Sequence, residues 1–145
     1  MGIDARWSPA DWDAYKTTHV SGKSAREIFS AREMKPEYDP KKITIRESRD
    51  SDANPFSTPV IIGSDVTGSM GMIAHELMGG DGLNTLAREI YDRKPVTDPH
   101  IMVLAIGDAE CDKAPLQATQ FEADIRLADQ VRDLWIEGGG GGNPG

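Results

Sequence analysis

The chain has 145 residues and a mass of 15.8 kDa, enough for one domain that buries roughly 70% of its unfolded surface and too little for two ordinary ones. Hydrophobic residues make up 38% and charged residues 28%, a globular composition with no apolar run near the ~20 residues that a membrane span needs. The net charge of -8 is unevenly placed, because residues 1–58 carry ten acids and ten bases whereas residues 59–145 carry fourteen acids and six bases. Nucleic-acid binding draws its affinity from neutralised phosphates, so the acidic part excludes a generic DNA or RNA surface. Cys111, the single cysteine, cannot form an internal disulfide, and no Cys/His cluster exists to hold zinc. The amino terminus lacks the apolar core of a secretion signal, and Arg6 stands where a myristoylation signal wants a hydroxyl. A cytoplasmic protein with no membrane partner is the expectation.

Ser8-Pro9-Ala10-Asp11 has the make-up of a helix start: serine at the cap, proline at the first helical position and an acid in the first turn. The spacing predicts a helix to about Val20, a break at Ser21-Gly22, and another turn or two from Ser24 to Arg32. From Met34 to Pro59 the chain holds Pro36, Pro40, Pro55 and Pro59 among many charges, with one strand-like patch at Ile43-Thr44-Ile45. Residues 1–58 are therefore read as an amino-terminal helical and extended arm, either loosely packed or docked. Trp7 and Trp12 could anchor its first helix onto the domain or onto another protein.

The texture changes at Pro59. Val60-Ile61-Ile62-Gly63 reads as a central parallel strand buried on both faces. After the loop Ser64 to Ser69, Met70, Ile73 and Leu77 follow helical spacing, Gly79 to Gly82 interrupt it, and Leu83, Leu86 and Ile90 resume it. Ile101 to Ile106 gives a second buried strand, far enough along for a right-handed βαβ crossover. Pro115 to Phe121 alternates as an edge strand, Asp124 can cap a helix with Leu127, Val131 and Leu134 inside, and a glycine run from Gly138 to Gly142 follows. The order predicts an α/β fold, with residues 59–145 as the sheet domain. Its short sheet is expected to be completed by another chain or, if this is a fragment, by residues beyond Gly145.

Ligands of parallel sheets sit at the carboxyl ends of the strands, which draws attention to Asp65-Val66-Thr67-Gly68-Ser69. Three oxygen-bearing side chains at alternate positions can converge in a tight loop. That donor set suits Mg²⁺, a hard ion that takes about six oxygens near ~2.1 Å. One carboxylate with two neutral hydroxyls leaves most of the ion's charge uncompensated, so an acidic ligand from outside is expected.

Asp65-Val66-Thr67-Gly68-Ser69-Met70, placed after an apolar strand and before a helix, resembles the Asp-x-Ser/Thr-x-Ser signature of von Willebrand factor A domains. Ile101 to Asp108 is similar to that fold's second strand and Pro115 to Phe121 to its antiparallel third. The glycine run before Asn143 sits where the family often has Gly-Gly-Thr-Asn, with Gly142 at the threonine. The resemblance covers residues 59–145 and corresponds to the first half of such a domain. It implies a partial doubly wound, Rossmann-like sheet, mostly parallel with one antiparallel edge strand. It also implies a metal-ion-dependent adhesion site in which Asp65, Thr67 and Ser69 hold Mg²⁺ or Mn²⁺ and a partner's acidic side chain completes the coordination. Asn143 and Asp108 are further oxygen donors for the same edge. Intracellular members of the family often work beside AAA+ ATPases of the MoxR type, so such an ATPase is the expected partner and no turnover is expected.

Two other readings compete. One is a metal-free structural scaffold whose site has decayed, consistent with Gly142. The other is a phosphatase resembling the haloacid dehalogenases, with Asp65 as phosphoryl acceptor, although Thr67 stands where those enzymes want a second acid. Gly22-Lys23-Ser24 imitates a phosphate loop but has Thr17 in place of the first glycine. Asp108, Glu110 and Asp112 alternate like a calcium loop without its glycine and distal glutamate and are read as a solvated acidic turn. His75 and His100 have no second imidazole at ligand spacing and are read as surface or boundary residues, and Met70, Met72 and Met78 as core filler.

Overall fold

The structure, a computed structural model, describes residues 6–66, 75–93, 96–110 and 112–136. The first helix, α1 (Pro9–His19), is capped as its sequence predicts: Ser8 is extended and its Oγ accepts the Asp11 N–H, with proline in the first turn. The second, α2 (Ala25–Ile28), is a single turn held by a reciprocal capping box between Ser24 and Glu27, so the helical segment is shorter than Ser24 to Arg32. Two 3₁₀ turns follow, Pro36–Tyr38 and Pro40–Lys42. Ile43-Thr44-Ile45 forms no strand. Ile45 is exposed.

Among the described residues the sheet is three-stranded, in the order β1 (Thr58–Asp65), β2 (Pro99–Ile106) and β3 (Leu116–Ala118). β1 runs parallel to β2, and β3 antiparallel. The crossover between β1 and β2 includes a π-helical turn, His75–Gly79, and helix α3 (Gly82–Arg93). Gly82 is required there, since a Cβ would lie 2.5 Å from the Glu76 carbonyl oxygen. The last element among the described residues is α4 (Arg126–Asp133). Its N-cap is Ile125, which makes no side-chain cap bond, so the cap expected at Asp124 does not form; Asp124, one residue earlier, accepts the Arg126 N–H through Oδ1 at 3.0 Å. The chain is thus a mixed α/β fold, and no helix among the described residues is long and apolar enough to cross a membrane.

β2 is buried nearly throughout, as its apolar run predicts. β1 is not. Its residues alternate between half-buried and exposed, and Ile61 is 58% exposed, which corrects the reading of a strand buried on both faces. The physical reason is position. β1 pairs only with β2 among the described residues, and Pro59, Ile61, Gly63 and Asp65 are exposed on a face that is covered over the start of β2, where their partners His100 and Met102 are buried. Thr58 and Val66 direct their N–H groups to the β2 side, so the odd-numbered residues direct theirs away. Pro59, which has no N–H, occupies one of these outward positions without losing a ladder bond.

The core lies on the other face, where Ile101, Val103 and Ala105 meet Leu83 and Ala87 of α3 and Leu127, Ala128 and Val131 of α4. Trp7, Trp12, Val20, Ile28, Phe29 and Tyr38 belong to the same cluster, so the amino-terminal arm is docked. Its polar anchors lie at the start of α3. Trp7 Nε1 donates to Asn84 Oδ1 at 2.8 Å, Trp12 Nε1 to Asp81 Oδ1 at 3.2 Å, and Lys16 Nζ to the same oxygen at 2.7 Å. The Lys16 hydrogen bond holds the Asp81 carboxyl below its ordinary value. Removing a buried aromatic leaves a cavity that costs ~3–5 kcal/mol. Trp12→Ala is therefore expected to lower the unfolding free energy by that amount in urea titrations, while Ile61→Ala changes it by less than ~0.5 kcal/mol; similar losses for both would place Ile61 in a core.

Candidate functional site

The sheet register sets which chain segments meet at its carboxyl end. Asp65 pairs with Ile106, and the Val66 N–H donates to the Ile106 carbonyl at 2.9 Å. The chain leaving β1 and the chain leaving β2 therefore start side by side, one strand spacing of about 4.8 Å apart. Asp65 is exposed at this edge and shares its open face with Ile106 and Leu116. Thr67, Ser69 and Asn143 lie outside the described residues, as do Cys111, Met70 and Met72.

Asp108 follows β2 by two residues and belongs to a closed turn. The Gly107 N–H donates to the Pro115 carbonyl at 2.7 Å, and the Asp112 N–H to the Asp108 carbonyl at 2.9 Å. Side chains reinforce it, since Asp112 Oδ2 accepts the Asp108 N–H at 2.7 Å and Asp108 Oδ1 accepts the Glu110 N–H at 2.8 Å. The alternation of acids from Asp108 to Asp112 thus serves backbone amides, as aspartates do in turns.

Among the described residues no three His, Cys, Asp or Glu side chains gather closely enough to hold a metal ion. Asp65 and Asp108 are the two predicted ligands whose positions are described, and both belong to the carboxyl edge. Their oxygens have the hardness that Mg²⁺ or Mn²⁺ prefers, so the donor chemistry fits such an ion, with the hydroxyls of Thr67 and Ser69 next along the chain.

The opposite end of β2 holds a feature that sequence spacing misses. His100 is 9% exposed, more buried than a surface or boundary residue, and its Nδ1 lies 3.0 Å from Ser48 Oγ. It lines a cleft of about 390 Å³ with Glu47, Arg49, Gln120, Glu122 and Arg126. The sequence separation of 52 between Ser48 and His100 leaves no local signal of the contact. Burial pushes the imidazole below its ordinary value of 6.5, against the raising effect of Glu122 and Asp98. Met78 is fully buried, as core filler should be.

Comparison with known protein families, with characterised proteins and with solved structures finds no match.

Two outcomes follow from this geometry. A Cβ on Gly107 would lie 2.6 Å from Asp112 Oδ2, the oxygen that accepts the Asp108 amide, so Gly107→Ala is expected to cost ~1–3 kcal/mol in denaturant unfolding; an unchanged midpoint would mean that the turn is loose. Below pH 6.5 the unfolded chain takes up a proton that folded His100 refuses. His100 therefore contributes stability that is present above that value and is lost as pH falls through its lower folded value. The urea midpoint should drop less steeply over this window in His100→Gln; equal slopes would show that the imidazole titrates alike in both states.

Proposed function

We propose that the chain is a von Willebrand factor A-like protein-binding module of the cytoplasm, in which Asp65, Thr67 and Ser69 hold Mg²⁺ or Mn²⁺ at the carboxyl end of β1. The observation that supports this reading most is the register: it puts Asp65, the first residue of the Asp-x-Thr-x-Ser pattern, at the last pair of a parallel ladder, where α/β sheets collect ligands. The ion would supply Lewis-acid attraction for a carboxylate of a partner protein. Asp65 contributes one negative charge, and Thr67 and Ser69 contribute neutral oxygens, so the chain's own side chains leave room and charge for an acidic ligand. Asp108 stands along the same edge with Oδ1 bonded to the Glu110 amide, and Asn143 is a further oxygen donor. The family resemblance makes a MoxR-type AAA+ ATPase the partner of choice, and the module binds without turnover.

A second reading, a metal-free scaffold, draws support from the Asp108 turn, whose carboxylates already satisfy backbone amides without an ion.

Thermal unfolding with EDTA and then with rising Mn²⁺ or Mg²⁺ separates them. A functional loop is stabilised by about 2.7 kcal/mol once the ion reaches about 100 times its dissociation constant, and Asp65→Ala abolishes the shift. An equal shift in Asp65→Ala would move the ion elsewhere, and no shift with intact folding would favour the scaffold. Release of phosphate from a generic phosphoester, lost in Asp65→Asn, would point to the phosphatase instead.

A further inference from the structure

A second polar cleft lies on the helix-covered side of the sheet, between α2 with the residues after it and the chain leaving α4. It encloses about 250 Å³ and is lined by Arg26, Phe29, Ser30, Arg32, Trp135 and Ile136. Phe29 and Ile136 are buried and form its floor. Its wall is fixed to the sheet by Gln117 of β3, whose Oε1 accepts the Trp135 N–H at 3.0 Å and whose Nε2 donates to the Trp135 carbonyl at 2.8 Å. Gln117 pairs with Ala105, and Ala105 with Ser64. The cleft is thereby tied to the carboxyl half of the strands, the half that carries Asp65.

The charges in it are unbalanced. Arg93, Arg126 and Arg132 each pair with a carboxylate, whereas Arg26 and Arg32 make no ion pair or hydrogen bond among the described residues, and the described residues that line the cleft include no carboxylate. In a chain of net charge -8, two guanidinium forks without a described carboxylate partner, beside an indole, make a local positive site. Guanidinium forks match carboxylates with two parallel N–H···O bonds, and arginine beside tryptophan is the usual make-up of a binding hot spot. The volume falls below the roughly 300–1,000 Å³ of small-molecule pockets and suits one or two side chains of a peptide.

We propose that this cleft captures acidic side chains of a peptide segment in a partner protein; the choice of a protein ligand rests on the function proposed above. The arginines then read carboxylates independently of any ion at the Asp65 loop, and together the two sites select an acidic partner surface.

Fluorescence anisotropy of labelled hexaglutamate titrated with the full chain tests this, first in EDTA and then in Mg²⁺. The expected result is saturable binding that persists in EDTA and weakens at least about tenfold in Arg26→Glu/Arg32→Glu, a loss in the range of charge-pair effects at interfaces. Lys41→Glu/Lys42→Glu, the same change in net charge on exposed lysines elsewhere, should alter it by less than about twofold. Arg26→Gln/Arg32→Gln gives an uncharged check, with circular dichroism confirming the fold of each variant. Binding that disappears in EDTA and is indifferent to the arginines would place peptide capture at the Asp65 loop, overturning the cleft while sparing the metal reading. Absence of binding in both solutions, or inorganic phosphate competing more tightly than the peptide, would overturn the proposal.

Discussion

Eight consecutive residues of β1 and β2 pair in parallel, from Thr58 opposite Pro99 to Asp65 opposite Ile106, and this ladder decides what the rest of the molecule can do. Because the side-chain period of a strand is two, a slip of one residue would turn Val60 and Ile62 out of the core and Asp65 inward. The register is enforced from the buried side, where Ile101, Val103 and Ala105 are each almost fully enclosed. Core packing on one face thus fixes a carboxylate on the other. The site inherits its position from apolar contacts in which it takes no part.

The docked arm adds to that enforcement. Trp7 and Trp12 pack against each other with ring centroids 6.0 Å apart and direct their indole N–H groups to Asn84 and Asp81 at the start of α3. Asp81 adopts a positive φ of 63°, a conformation that costs a non-glycine residue energy. Its carboxylate offsets that cost by accepting from both Trp12 and Lys16. The helix that leads back to β2 is therefore held at its first turn by the first helix of the chain. Tyr15 and Tyr38 extend the tie to α4 through Asp129 and Asp133.

What was legible in the sequence was local. The cap at Ser8, the apolar run of β2, the edge strand after Pro115 and the inner face of α4 follow from short-range patterning, whereas the antiparallel direction of that strand was implied by the family resemblance. β1 was misread because the run Val60-Ile61-Ile62 looks the same whether a strand is central or at an edge. The difference lies in neighbours, and the one local hint was Pro59, a residue that edge strands accept at outward backbone positions. The Ser48–His100 contact, the Gln117 grip on Trp135 and the cleft holding Arg26 and Arg32 join residues distant in sequence, so no spacing announces them. Of the predicted ligands, Asp65 and Asp108 come to the same edge, as strand ends suggested. Thr67 and Ser69 rest on the motif and Asn143 on the likeness of the glycine run before it, all outside the described residues.

A paramagnetic ion reports its own location, which makes the backbone amide spectrum under small additions of Mn²⁺ the most direct measurement of the central claim. An ion held by the Asp65 loop broadens the signals of Val66, Gly107 and Asp108 first, while those of Ile101 and Glu122 at the far end of the sheet stay sharp. Broadening centred on Glu122 and Asp124, or spread evenly over the acidic surface, would contradict it.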